Sequence, residues 1–114
     1  MVPEIDQQQL ATAGAEGALV LDVRNGDEYA AAHVPGARLV PLPALAAQLA
    51  ALPTDRPVYV ICRSGGRSAQ ATALLRSTGV DAYSVTGGTT AWIAAGRPID
   101  TGEADPAADG PEER

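Results

Sequence analysis

Val58-Tyr59-Val60-Ile61-Cys62-Arg63-Ser64-Gly65-Gly66-Arg67-Ser68-Ala69-Gln70-Ala71 is the stretch on which the reading of this chain turns. Val58 to Ile61 are β-prone and apolar, the pattern of a buried strand bounded by Pro57 and the following glycines. After Arg67 the pattern becomes helical, with Ala71, Leu74, Leu75 and Thr78 spaced for one face and Gly79 placed as the stop. Cys62, the single cysteine of the chain, therefore stands at the carboxyl end of a strand, where α/β sheets gather their ligands. The loop behind it feeds a helix N-terminus, whose free N–H groups and dipole favour negative charge. A free cysteine titrates near pH ~8.5, and such surroundings lower that value. Gly65 and Gly66 permit a tight curl, and Arg63 and Arg67 add positive charge. The stretch reads as a nucleophilic thiolate in an anion-binding cup. A lone cysteine can equally be a small buried hydrophobe, but the charged, polar and glycine residues after Cys62 suit a cradle better than a core.

Outward from that stretch, short strands alternate with helices. Pro3-Glu4-Ile5 reads as an edge strand. A helix from Asp6 to Ala13 follows, with Asp6 as N-cap and Gly14 and Gly17 as stops. Ala18 to Val23 is almost wholly apolar, as a central parallel strand covered on both faces should be. Asn25-Gly26-Asp27 opens a short helix reaching Ala32, and His33 to Ala37 form a turn set by Pro35 and Gly36. Ala37 to Val40 is a third strand. Leu42, Leu45, Leu49 and Leu52 share a face of the next helix, which Pro53 ends. Asp81 to Val85 is a fifth strand, Thr86-Gly87-Gly88 a turn, and Thr89 to Ala95 a last helix carrying Trp92 into the core. This alternation predicts an α/β fold, a three-layer sandwich around a mostly parallel five-stranded sheet.

The chain has 114 residues, enough for one domain, with boundaries expected at residues 4–100. Residues 101–114, with five acids against Arg114, have almost nothing to bury and read as an acidic disordered tail. The formal charge is −6 and lysine is absent, so no basic stripe offers a footprint for nucleic acid. No run approaches the ~18 apolar residues of a membrane span, and Met1 to Leu10 show no secretory signal. One cysteine excludes an intrachain disulfide and suits a reducing compartment, so a cytoplasmic location is expected. No metal ligand set and no cofactor are expected.

Four segments together resemble the rhodanese-like (sulfurtransferase) domain of the short, single-domain kind. Leu21-Asp22-Val23-Arg24 with Asp27-Glu28-Tyr29 is similar to the first signature, and His33-Val34-Pro35-Gly36-Ala37 to the second. Cys62-Arg63-Ser64-Gly65-Gly66-Arg67-Ser68 is similar to the active-site loop, and Gly87-Gly88, Trp92 and Gly96-Arg97-Pro98 to the C-terminal signature. The resemblance implies that Cys62 takes a sulfane sulfur from thiosulfate or a similar anionic donor. It would hold that sulfur as a persulfide and pass it to a thiol or cyanide. Arg63, Ser64, Gly65, Gly66 and Arg67 would bind the substrate. Four residues separate Cys62 from Arg67, one fewer than in the related phosphatases, and the shorter loop suits sulfur better than a phosphoryl group. A non-catalytic sulfur-relay or protein-binding module and a Cys-based phosphatase or arsenate reductase are the alternatives. Asp22 and Arg24 read as a structural pair. His33 reads as structural too, since a pre-ionised thiolate needs no base. Ser64 and Ser68 could each serve the sulfur or cap the helix, with capping expected of Ser68.

Overall fold

The computed structural model describes residues 2–104. The expected acidic tail falls largely outside them. Its first residues do not: the Gly102 N–H donates to Ala30 O at 2.8 Å, and Ala104 packs against the core.

Five strands form one sheet: β1 (Glu4–Ile5), β2 (Leu19–Asp22), β3 (Arg38–Leu39), β4 (Val58–Ile61) and β5 (Ala82–Val85). Their spatial order is β1-β5-β4-β2-β3, and every pairing is parallel. The register sets Asp22 beside Ile61, so the chain leaves β2 and β4 at the same sheet edge, with Cys62 there.

Side chains alternate across a strand, and the core divides accordingly. Leu21, Val58, Val60 and Ala82 face one layer, made by Leu45, Leu52, Ala71 and Leu75. Val20, Ile61 and Val85 face the other, with Leu10, Tyr29 and Trp92. The first layer holds α3 (Gly66–Ser77) and a 3₁₀ segment (Leu42–Ala51). The second holds α1 (Gln7–Ala15), α2 (Gly26–Ala31) and α4 (Gly88–Ala94). With both faces covered, β2 and β4 can be apolar nearly throughout.

Side-chain caps place two of the helix starts. Asp6 caps α1 and Asn25 caps α2, each in a capping box closed by Gln9 and Glu28. Two local expectations change. Helix α1 runs through Gly14, and the chain turns only at Gly17, whose φ is +83°. The leucine-rich helix is 3₁₀ rather than α. The Ala44 N–H bonds Pro41 O and the Leu52 N–H bonds Leu49 O, both three residues back. Pro41 and Pro43 supply no N–H, and no side chain caps the segment.

Candidate active site

Cys62 follows β4 directly and is 1% exposed. Its Sγ accepts the Gly65 N–H at 3.1 Å and lies 3.5 Å from Ser68 Oγ. Burial pushes the thiol up. The Ser68 hydroxyl and the N–H groups of Ser68, Gly65 and Ser64 outweigh it and hold the thiol below its ordinary value. The sulfur is thus buried yet surrounded by donors, not by hydrocarbon alone.

The loop turns its amides toward the sulfur because its carbonyls are held elsewhere. Cys62 O accepts the Thr89 N–H at 2.9 Å and the Thr89 hydroxyl at 3.0 Å. Arg63 O accepts the Thr90 N–H at 3.0 Å. The N-terminal amides of α4 therefore dock on the two peptides that start the cradle. Gly88 makes that approach possible: its φ is +57°, and a Cβ there would lie 2.5 Å from Cys62 O. Gly65, with φ +122°, also needs glycine; Gly66 has ordinary backbone and open space around it.

Helix α3 starts at Gly66 with Gly65 as its N-cap and no side-chain cap, so the expected capping by Ser68 does not occur. Ser68 is instead fully buried. Its hydroxyl donates to Gly65 O at 3.1 Å and lies 2.8 Å from Ser84 Oγ on β5. Capping fails because Ser68 is already within the first turn, where its side chain leans back toward Cys62.

The two arginines differ. Arg67 donates from both terminal nitrogens to Glu28 of α2, at 2.7 and 2.9 Å. Glu28 is held down at about 2, first by that Arg67 hydrogen bond, with burial opposing and Asn25 assisting. Arg63 is exposed. Ser64 is exposed as well, and what it turns to the sulfur is its backbone N–H. A cavity of about 280 Å³ beside the loop is lined by Glu28, Ala31, Arg63, Thr89 and Ile93. Two larger cavities, of about 650 and 480 Å³, have none of the Cys62 loop in their walls.

The expected Asp22–Arg24 pair is present and buried: Arg24 donates at 2.9 and 2.8 Å to the two carboxylate oxygens and at 2.8 Å to Ala32 O. His33 stacks on Tyr29 at 3.6 Å and bridges to Asp100 through backbone bonds. Trp92 is buried and donates to Pro98 O. Glu28, Ser84 and Thr89 carry the site without having been assigned to it from the sequence. The Glu28-to-Arg67 charge pairing was the one of these with a sequence signal, though not a local one. Among the described residues no group of three or more His, Cys, Asp or Glu could hold a metal ion, and no helix is long and apolar enough to cross a membrane.

Comparison with known proteins agrees with this architecture. The family model described as "Rhodanese-like domain" matches residues 6–95. A sulfurtransferase of Allochromatium vinosum is 37% identical over 102 residues, covering 87% of this chain and 95% of its own. The thiosulfate sulfurtransferase GlpE of Pseudomonas putida is 37% identical over 89 residues, covering 77% of this chain and 81% of its own. A rhodanese-related protein of Thermoplasma volcanium superposes with a TM-score of 0.81 at 30% identity, over 86% of this chain and 97% of the other. With a parallel sheet in this order, a cysteine cradled after its central strand and these relatives, the chain belongs to the rhodanese-like domain family.

Proposed function

We propose that this protein is a sulfurtransferase that carries a sulfane sulfur on Cys62. The observation that carries the reading is the Cys62 sulfur at the bottom of a curl of N–H donors, with Gly65 N at 3.1 Å and the Ser68 hydroxyl beside it. The names of the relatives support the same chemistry.

The Cys62 thiolate attacks the outer sulfur of thiosulfate. A new S–S bond forms at Cys62, the old S–S bond breaks, and sulfite leaves with its electron pair. The persulfide is itself an anion, and the amides that held the thiolate hold its outer sulfur without reorganising. A nucleophilic acceptor, a thiol or cyanide, then attacks that outer sulfur and returns Cys62 to thiolate. No general base is needed, because the nucleophile is ionised beforehand. Arg63, which has no ion pair among the described residues, meets the anionic donor. Arg67 reaches it only with Glu28 attached. Gly66 and Ser64 contribute backbone N–H groups. The slight exposure of Cys62 favours a slim terminal sulfur over a bulky tetrahedral phosphate. The reaction needs no metal and no cofactor, and a free thiol of this kind works in a reducing compartment such as the cytoplasm.

Thiocyanate formation from thiosulfate and cyanide tests the reading. The expected result is turnover that disappears in Cys62→Ala. If the wild type forms no cysteine-dependent thiocyanate, the fold serves as a sulfur-relay or protein-binding module.

A further inference from the structure

Ser84 lies on β5, is 1% exposed and belongs to none of the family-like segments quoted for the loop. Among the described residues, its hydroxyl has Ser68 Oγ as hydrogen-bond partner, at 2.8 Å. A buried hydroxyl proton left unmade costs about 1–3 kcal/mol, so Ser84 donates and Ser68 accepts. Ser68 then has one proton to give and two places to give it: Gly65 O at 3.1 Å or the sulfur at 3.5 Å. While Cys62 is a thiol, its S–H donates to Ser68 Oγ, and Ser68 donates to Gly65 O. Once Cys62 is ionised, the Ser68 proton turns to the sulfur. Gly65 O keeps the Ala69 N–H at 3.1 Å, so nothing is left unsatisfied by the turn.

We infer that Ser84 is a positioning residue for Cys62, acting through Ser68: it anchors the Ser68 oxygen as an acceptor and so frees and polarises the Ser68 proton for the thiolate. A hydroxyl that accepts one hydrogen bond donates a stronger one. The inference rests on the sulfurtransferase reading for its purpose, not for its geometry.

The test is the pH dependence of Cys62 alkylation by iodoacetamide, read by intact mass; the chain has one cysteine, so the signal has one source. Losing a hydrogen bond to the anion in Ser68→Ala should raise the midpoint by about one pH unit. Ser84→Ala should raise it by about 0.3 unit, the upper share expected of polarisation. In the Ser68→Ala background, Ser84→Ala should add nothing. Ser84→Thr keeps the hydroxyl and should leave the midpoint in place. The inference is overturned if Ser84→Ala titrates as wild type does, if its shift persists without the Ser68 hydroxyl, or if Ser84→Thr shifts as far as Ser84→Ala. No sulfur donor enters this measurement, so its failure is separable from a failure of thiocyanate formation.

Discussion

Gly88 and Gly66 divide what glycine does at this site. At Gly88 an added methyl meets the Cys62 carbonyl at 2.5 Å, in a backbone conformation with φ +57°. Left-handed strain and overpacking together should make Gly88→Ala cost roughly 2–5 kcal/mol, read as a fall in the urea midpoint. Gly66→Ala meets nothing and should be neutral or stabilising by up to about 1 kcal/mol. Equal losses in the two variants would mean that α4 does not clamp the loop as described. Both glycines stand out in the sequence, but only the folded neighbours tell them apart. Cys62 itself should alkylate with a midpoint below that of an ordinary thiol, because its donors outweigh its burial. Persulfide formation should fall as pH drops through that midpoint and the thiolate is protonated.

At the scale of elements, α2 and α3 are joined across the mouth of the site by Glu28 and Arg67. The pair is partly exposed, with side chains 25% and 36% accessible, so screening holds its worth to within about 1 kcal/mol. The Glu28 carboxyl is depressed from 4.5 to about 2. Its stabilisation is therefore complete above pH 4.5 and is lost as pH falls from 4.5 toward 2. Glu28→Gln should remove that acid-limb slope. It should also leave the Arg67 charge without a compensating carboxylate and lower KM for thiosulfate severalfold; a KM that stays put would leave Arg67 outside donor binding. Sequence reading found the Cys62 cradle because strand, curl and helix are consecutive there. It missed what crosses between elements: Glu28 is 39 residues from Arg67, Thr89 27 from Cys62, and Ser84 16 from Ser68. The strand order β5-β4-β2 brings these together, and no local pattern encodes it. The same limit explains Ser68, whose cap-like chemistry was visible while its buried neighbours were not.

For the whole molecule, alternating apolar runs were enough to specify five parallel strands with covered faces. The winding of the leucine-rich segment was not: its 3-4-3 leucine spacing reads as α, whereas Pro41 and Pro43 supply no N–H and no side chain caps the start of what winds as 3₁₀. The limit of the folded body is the next question. Residues 101–104 touch it through the Gly102–Ala30 bond and Ala104. Truncation after Asp100 should forfeit about 1 kcal/mol, a fall of several degrees in Tm for a domain of this size. Truncation after Ala104 keeps those contacts and should melt several degrees above truncation after Asp100. Identical melting of the two truncations would place the boundary at Asp100.

The central claim is that one cradled, ionised sulfur accepts another. Intact mass after exposure to thiosulfate measures it most directly. The account predicts a gain of one sulfur atom in the wild type, none in Cys62→Ala, and its removal by cyanide as thiocyanate. A wild type that gains no sulfur, or a Cys62→Ala variant that still does, would contradict it.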